Sequence, residues 1–476
     1  MIGRQYERAV MSGLLHKKGA ELLAVLGRRR VGKTYLITEQ YKDHMAFAFT
    51  GTQYADTENQ LEKFRTKLAQ LTSRDIDKIK DWAEAFKQLT TYLKRSRKRK
   101  KPVIFFDELP WIASRRSGFL QEFGYWWNDW ASKQNIIVVI CGSAASWMID
   151  KVVNHKGGLH NRITSLIYLR PFTLAEVEDY FQDKKISLDK YQILQIYMAL
   201  GGIPHYLDKI KRGESASQII NRLLLNKNGE LRSEFENLYH ALFDKADRHI
   251  AVIMALASKW EGLTRNEIAQ ATGLSNGGGL TKLLSELSAA TFISEILPFG
   301  KKKKDIVYRL VDEYSLFYTH FIKGQRAGKR DILAVHKQAY QIWQGYAFES
   351  ICFKHIEAIK QALGITGVKT EISSFRHSGN EDFPGIQIDL LIDREDRTIN
   401  ICEIKFYNDT YTITKEYASK LRSRRTTFKI LSKTKKNILN TMVTTYGLVE
   451  NQHKYGTVDS EVAMDSLFLL ESFVGS

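Results

Sequence analysis

Eight consecutive residues near the N-terminus have the spacing of a phosphate-binding loop. They fit the pattern G-x4-G-K-[ST] and are Gly27, Arg28, Arg29, Arg30, Val31, Gly32, Lys33 and Thr34. Glycines in such a loop let backbone N–H groups curl around a phosphate chain, and the helix that follows adds its dipole. The Lys33 ammonium would neutralise β- and γ-phosphates, and the Thr34 hydroxyl would hold Mg²⁺. An ordinary glycine-rich turn between a strand and a helix is the alternative.

Polar residues also follow the next two buried runs of the chain. Asp107 and Glu108 come directly after Val103–Phe106, at the end of a strand where ligands bind in open α/β sheets. We expect Asp107 to bind Mg²⁺ and Glu108 to orient or deprotonate the attacking water, which indicates ATP hydrolysis rather than binding alone. Ser143 follows the run Ile136–Cys141. Its hydroxyl either contacts the γ-phosphate or the attacking water, or it caps a helix.

A second group of candidate site residues lies near the C-terminus. Asp389, Glu403 and Lys405 form the pattern D-x13-E-x-K on two apolar segments. Side chains alternate along a strand, so Glu403 and Lys405 share a face that Asp389 on a neighbouring strand can approach. Such a group suits metal-assisted phosphodiester hydrolysis. Asp389 and Glu403 would hold Mg²⁺, and Lys405 would position the water and stabilise the developing charge.

Apolar runs separated by amphipathic stretches must position the phosphate loop. Leu22–Leu26, Val103–Phe106 and Ile136–Cys141 are short and unbroken, as in strands of a parallel sheet buried on both faces. Helical patterns at Asn59–Leu71 and Asp81–Leu93 lie between them. This alternation predicts an α/β fold.

A different pattern follows the α/β region. Thr264 with Glu267 predicts a capping box, a second helix is expected at about Gly279–Ala290, and Lys301–Lys304 would lie at the tip of a hairpin. This order is typical of a winged helix-turn-helix. The four lysines favour contacts with DNA phosphates, and Lys282 as the one basic residue of the second helix predicts little sequence readout. A protein-contact or lid role is the alternative.

The order of motifs in the first half resembles archaeal-type AAA+ ATPases. The resemblance covers roughly residues 1–235 and rests on Ile2-Gly3-Arg4, the phosphate loop (a Walker A motif), FFDEL, CGSAAS, Arg170-Pro171-Phe172 and Gly201-Gly202-Ile203-Pro204. It implies an adenine pocket near Ile2 and Arg4 and a helical lid that closes with the Gly201–Pro204 turn. It also implies an arginine finger from a neighbouring subunit. Arg162 is the first candidate for the finger and Arg170 the second, while a simple surface arginine is the alternative for Arg162.

The C-terminal pattern resembles the PD-(D/E)XK, restriction-endonuclease-like fold from about residue 336 to 450. Glu349 matches the acidic residue of that fold's first helix and would join the metal ligands. Tyr417 and Lys420 match positions where relatives carry further polar site residues. The Pro-Asp dipeptide is absent before Asp389. A degenerate nuclease fold that serves as a binding platform is the alternative.

These patterns divide the chain into four expected domains. They are a P-loop ATPase core at 1–172, a helical lid at 173–240, a winged helix-turn-helix at 241–325 and a nuclease-like α/β domain at 336–476.

Composition limits the class of partner. The chain has 476 residues, and 71 Lys+Arg against 53 Asp+Glu give a formal net charge of +18. Such an excess favours a polyanionic partner, and DNA with phosphate-dominated contacts is the expectation. Three scattered cysteines and no long apolar run predict reduced thiols and a soluble cytoplasmic protein without membrane contact. The basic run Lys94–Lys101 is either a solvated loop or a phosphate-contacting loop.

Together these observations predict an ATP-binding and ATP-hydrolysing AAA+ protein that acts on DNA. Its cofactors would be ATP and Mg²⁺, its C-terminal domain a Mg²⁺-dependent nuclease, and a homo-oligomer is possible. The alternative is an ATP-driven regulatory switch in which the winged helix and an inactive nuclease fold serve as binding platforms.

Overall fold

The chain divides into two compact units, Gly3–Arg170 with Met1 and Pro171–Ser476 with Ile2. Part of the basic run (97–99), the expected first residue of the C-terminal domain (336) and its last six residues (471–476) lie outside the described residues. The computed structural model describes residues 1–96, 100–114, 116–143, 145–153, 161–243, 245–323, 337–381 and 383–470.

The first unit contains a five-stranded parallel sheet in the order β2-β3-β4-β1-β5. Its strands are β1 (Glu21–Leu26), β2 (Met45–Thr50), β3 (Val103–Asp107), β4 (Ile137–Gly142) and β5 (Ser165–Tyr168). Its helices are α1 (Gln5–His16), α2 (Lys33–Gln40), α3 (Thr57–Thr72), α4 (Trp82–Arg95), α5 (Leu109–Ile112), α6 (Phe119–Asp129) and α7 (Ala145–Met148).

The three central strands are the ones that the sequence predicts. Every residue of β1, β3 and β4 is buried, which agrees with their unbroken apolar runs. β2 and β5 at the two edges are only partly buried and are not predicted. Aromatic rings fill the core beside the sheet, where Phe106 packs edge-on against Phe119 at a centroid distance of 5.7 Å. The α/β fold class is confirmed.

The second unit begins with helices and continues into a small antiparallel sheet in the order β6-β8-β7. The helices are α8 (Leu174–Asp183), α9 (Lys190–Leu200), α10 (Pro204–Leu207), α11 (Ala216–Ile220), α12 (Glu234–Leu242), α13 (Ala246–Ala257), α14 (Arg265–Thr272), α15 (Gly278–Ala289) and α16 (Glu313–Phe321). The strands are β6 (Leu263–Thr264), β7 (Ile293–Ile296) and β8 (Val307–Leu310). The Thr264–Glu267 capping box is present at the start of α14.

A second five-stranded sheet, in the order β13-β12-β11-β10-β9, completes this unit. β9, β10 and β11 pair antiparallel, whereas β11, β12 and β13 pair parallel. The elements are α17 (Lys337–Lys354), α18 (Ile356–Ala362), β9 (Thr370–His377), β10 (Ile386–Arg394), β11 (Thr398–Lys405), α19 (Lys415–Ser432), β12 (Asn437–Thr444) and β13 (Ser460–Ala463).

Within the second unit, the small sheet packs against the mixed sheet. The backbone N–H of Phe299 donates to the carbonyl of Ser374 in β9 at 2.8 Å, and the Phe299 ring lies 5.5 Å from the Phe428 ring. The Trp260 ring stacks on the Tyr346 ring of α17, with ring centres 4.5 Å apart and ring planes nearly parallel. Among the described residues, no helix is both long enough and apolar enough to span a membrane.

Candidate functional site

The loop between β1 and α2 has the backbone shape that its glycines predict. Gly27 has a φ of +153°, and a Cβ at this position would lie 2.5 Å from the carbonyl oxygen of Leu169. Gly32 has a φ of +92° and forms the N-cap of α2. Side chains at these two positions would be strained or would clash, so glycine is what allows the loop to turn tightly onto the helix N-terminus.

The side chain of Lys33, the first residue of α2, folds back over this loop. Its side chain is 6% exposed, and Nζ donates to the carbonyl oxygens of Gly27 and Arg28 at 2.9 and 3.0 Å. Arg4 reaches the same loop, because its Nη2 donates to the Val31 carbonyl at 3.2 Å. The Lys33 charge therefore rests on neutral backbone oxygens, which an anionic phosphate can replace.

Asp107 connects the end of β3 to the loop. Its Oδ2 accepts from the Thr34 hydroxyl at 2.8 Å, and its Oδ1 accepts from the Glu108 backbone N–H and the Cys141 thiol, both at 2.9 Å. Burial, followed by the charge of Asp107, raises the pKa of the Cys141 thiol well above its ordinary value, so the thiol stays a neutral donor. All three of these donors to Asp107 are thus uncharged.

Glu108 is held by the neighbouring strand. Its Oε2 accepts from the Ser143 hydroxyl at 2.8 Å and from the Ser143 backbone N–H at 3.1 Å. Glu108 itself adopts a left-handed conformation with a φ of 48° where α5 begins. Residues in this region cost about 1 kcal/mol or more and are often found at functional sites. Ser143 was expected to contact phosphate or water, or to cap a helix. In the structure it contacts Glu108, the carboxylate predicted to act on the attacking water.

The remaining predicted residues of this site differ in exposure. Arg28 is buried, Arg29 and Arg30 are partly exposed, and Arg162 and Arg170 are exposed. Ile2 belongs to the second unit. The roles predicted for Ile2 and for the two finger candidates stay predictions.

The loop residues fit a Mg²⁺–nucleotide complex. The Thr34 hydroxyl and the Asp107 carboxylate present oxygen atoms to one point, and Mg²⁺ prefers oxygen ligands. Gly27 carries no side chain that could cover the loop backbone, and a Cβ there would collide with the Leu169 carbonyl. The Lys33 ammonium lies against the Gly27 carbonyl. These are the donors that a phosphate chain and its cation require.

The C-terminal residues Asp389, Glu403 and Lys405 also lie together, but their partners are different. Lys405 Nζ is 2.8 Å from Glu403 Oε1, and Arg424 Nη1 is 2.5 Å from Glu403 Oε2. The Tyr417 hydroxyl donates to Glu403 as well. Burial raises the pKa of Glu403, but Arg424 and Lys405 outweigh it and lower that pKa to about 2.

Asp389 and Glu349 complete this group. The antiparallel pairing of β10 and β11 ends at Leu390 and Cys402, the neighbours of Asp389 and Glu403 along their strands. Asp389 Oδ1 accepts from the Gln387 amide at 2.8 Å. Burial, followed by the charge of Asp389, raises the pKa of Glu349 to about 8.

The C-terminal group as it stands does not fit a metal ion. No three His, Cys, Asp or Glu side chains in the described ranges are grouped so that they could hold one. The physical reason lies at Glu403, because protein cations already use both of its oxygens. The Mg²⁺ role predicted for Glu349, Asp389 and Glu403 stays a prediction that this arrangement does not support. Lys420 pairs with Glu416 at 3.5 Å.

Sequence reasoning missed three contacts. The Cys141 thiol on Asp107 had a signal, since Cys141 lies one residue before the end of β4, the strand next to β3. Arg424 had a weaker one, because it lies seven residues after Tyr417 and therefore on the same face of a helix. Arg309 in β8, whose Nη2 is 3.9 Å from Glu349 Oε2, had none, because β8 lies in the segment before α17.

Comparisons with known proteins found one family match and one relative that covers most of the chain. Residues 3–210 match a family described as an ATPase domain predominantly from Archaea. A protein of Methanocaldococcus jannaschii without an assigned function is 22% identical over 413 residues, which are 85% of this chain and 87% of that protein.

Two solved structures are similar to about two thirds of this chain. A Walker-type ATPase of Pyrococcus abyssi is 18% identical, with a TM-score of 0.49, 67% of this chain covered and 96% of that one. The ORC2 protein of Aeropyrum pernix is 14% identical, with a TM-score of 0.39 and coverages of 66% and 92%. The match to this ATPase domain family includes the phosphate loop, Asp107 and Glu108, and it covers residues 3–210 of the 476.

Proposed function

We propose that this chain hydrolyses ATP with Mg²⁺ at the phosphate loop and acts on DNA through its second unit. The observation that carries the proposal is the hydrogen bond between the Thr34 hydroxyl and the Asp107 carboxylate at 2.8 Å. It joins the loop to the acidic end of β3, the two parts that a hydrolytic nucleotide site needs next to each other.

Each residue of the site has a role that its present contacts support. The backbone N–H groups after Gly27 bind the phosphate chain, and Lys33 leaves the loop carbonyls to pair with the phosphate oxygens. Thr34 and Asp107 hold the cation. Mg²⁺, when bound with ATP, supplies charge neutralisation of the phosphates.

Glu108 orients the attacking water and accepts its proton. In the structure its Oε2 is engaged by both Ser143 donors, so the carboxylate is fixed at one place. We propose that Ser143 positions Glu108 for this step. Arg162 from a second copy of the chain is the proposed source of charge stabilisation at the γ-phosphate.

The DNA contact is proposed for the hairpin between β7 and β8. Lys301–Lys304 are all exposed at its tip, and Lys282 on α15 is 72% exposed. The connection between β7 and β8 is anchored where the Phe299 backbone N–H donates to Ser374 of β9, two residues before the first of these lysines. With the net charge of +18, this favours salt-sensitive binding to phosphates with little sequence preference.

DNA cleavage by the C-terminal group stays a prediction from sequence. The contacts of Arg424 and Lys405 with Glu403 favour the alternative, in which the nuclease-like domain serves as a binding platform.

The proposal is tested by ATP turnover of the full-length chain with and without duplex DNA. Glu108→Gln should lower kcat at least 100-fold while nucleotide affinity changes little, because the amide cannot take the proton. Glu39→Gln, an exposed glutamate on α2, is the matched control and should keep wild-type turnover. Wild-type turnover in Glu108→Gln would contradict the site.

The same preparation tests the DNA contact. Replacing Lys301–Lys304 with glutamine should weaken duplex binding about tenfold or more and reduce the salt dependence of the affinity. The control removes the same number of exposed lysines from the first unit, and these are Lys18, Lys42, Lys63 and Lys87. Equal losses in both quadruple variants would mean that the binding reflects total charge and not the hairpin.

A further inference from the structure

The partly buried C-terminal group contains as many cations as carboxyls. Glu349, Asp389 and Glu403 are matched by three positive side chains, which are Arg309, Lys405 and Arg424. Electrostatic interaction links Glu349 to both of the other carboxyls and to Arg309 and Lys405. The group therefore has a formal charge of zero when every member is ionised.

Two of these cations are fixed by more than one contact. Arg309 comes from β8, and its Nε donates to the Trp260 carbonyl at 3.2 Å while its guanidinium lies 5.2 Å from the centre of the Phe353 ring. Lys405 lies 2.8 Å from Glu403 and 5.7 Å from the centre of the Tyr417 ring. Neither side chain depends on a single partner.

Arg424 is different, because Glu403 is the acceptor of its guanidinium. The Arg424 Nη1–Glu403 Oε2 distance is 2.5 Å, and the two side chains are 16% and 13% exposed. Arg424 Nε and Nη2 are shielded from solvent and have no hydrogen-bond partner in the described part of the chain. Opening this pair would leave a mostly buried guanidinium without its countercharge, which is unfavourable.

We propose that Arg424 is a built-in counter-ion that excludes divalent cations from the C-terminal carboxyl group. Mg²⁺ or Mn²⁺ would need free carboxylate oxygens, and at Glu403 one oxygen is taken by Arg424 and the other by Lys405 and Tyr417. Removing Arg424 lowers the formal charge of the group by one and frees Oε2. The carboxyls of the nuclease-like pattern are present, and the protein's own arginine supplies the positive charge beside Glu403.

The test measures Mn²⁺ binding to the full-length chain without nucleotide. The electron paramagnetic resonance signal of free Mn²⁺ reports how much of the ion stays unbound. All variants carry Asp107→Asn, so that the nucleotide site contributes no binding. The Asp107→Asn parent should bind Mn²⁺ weakly, and adding Arg424→Gln should tighten binding about tenfold or more, because a competing cation is gone. Arg424→Lys, which keeps the charge, and Arg425→Gln, which removes a neighbouring arginine paired with Asp459, should behave like the parent.

Two results would overturn the proposal. One is tight Mn²⁺ binding by the parent that Asp389→Asn abolishes, since Arg424 would then exclude nothing. The other is a folded Arg424→Gln variant that binds no more tightly than the parent. If Arg424→Gln does not fold, the parent with and without Asp389→Asn still decides the question. ATP turnover does not enter this test, so its outcome is independent of the proposed function.

Discussion

The two units both place a lysine near carboxylates, but the lysine has a different partner in each. In the first unit, Lys33 rests on the carbonyls of Gly27 and Arg28, and the donors to Asp107 are a hydroxyl, a thiol and a backbone N–H. In the second unit, Lys405 pairs directly with Glu403, and Arg424 takes the other oxygen of that carboxylate.

This difference shows that residue types alone do not define a cation site. A carboxylate whose partners are neutral donors keeps its full charge and can attract Mg²⁺. A carboxylate whose partners are arginine and lysine has its charge balanced within the protein, and a metal ion gains little there. The placement of the protein's own cations decides which carboxylates are available.

The largest expected difference between Glu403 and Asp107 concerns the free energy of unfolding. Glu403→Gln should lower the free energy of unfolding by about 2–3 kcal/mol, because it leaves Arg424 and Lys405 without their countercharge in a mostly buried place. Asp107→Asn should cost about 1 kcal/mol or less, since an amide oxygen can still accept from the Thr34 hydroxyl. Urea unfolding of the two full-length variants measures both values. A larger loss in Asp107→Asn would reverse the comparison.

A smaller effect concerns pH. The pKa of Glu349 is about 8, above its ordinary value of 4.5, so between these pH values the folded chain holds a proton that the unfolded chain releases. Stability from this group therefore falls as pH rises through that window, by at most about 1.4 kcal/mol per pH unit. Glu403 has the opposite sign, because its pKa of about 2 gives stability that is lost only as pH falls below about 4.5.

Glu349→Gln is the variant that isolates this effect. Its free energy of unfolding should vary less between pH 5 and 8 than that of the wild type, and Glu371→Gln on the exposed side of β9 should leave the pH dependence unchanged. Urea unfolding at several pH values measures the slopes. Identical slopes in wild type and Glu349→Gln would show that Glu349 does not hold its proton in the folded chain.

Local patterns indicated which residues meet at the phosphate loop, where Thr34 contacts Asp107. The phosphate loop needs only neighbouring residues, and Asp107 meets Thr34 because β1 and β3 are parallel strands of one sheet with their carboxyl ends at the same edge. The central strands were predicted from their apolar runs. The edge strands β2 and β5 were missed, because half-buried segments of four to six residues carry a weak signal.

The C-terminal group could be predicted only in part. Glu403 and Lys405 contact each other, and electrostatic interaction links both of them and Asp389 to Glu349. The partners that set the charge balance come from elsewhere, Arg424 from the helix after the strands and Arg309 from β8 of the preceding segment. Sequence patterns indicate which residues share an element, but the packing of separate elements decides which charges meet.

The central claim, that neutral partners leave Asp107 open to a cation while protein cations close Glu403, is tested most directly by counting bound Mn²⁺ in the presence of a non-hydrolysable ATP analogue. The full-length wild-type chain should bind one Mn²⁺ per chain. Asp107→Asn should abolish this binding, and Glu403→Gln should leave the nucleotide-dependent ion in place. Two ions per wild-type chain, or one that survives Asp107→Asn and disappears in Glu403→Gln, would contradict the account.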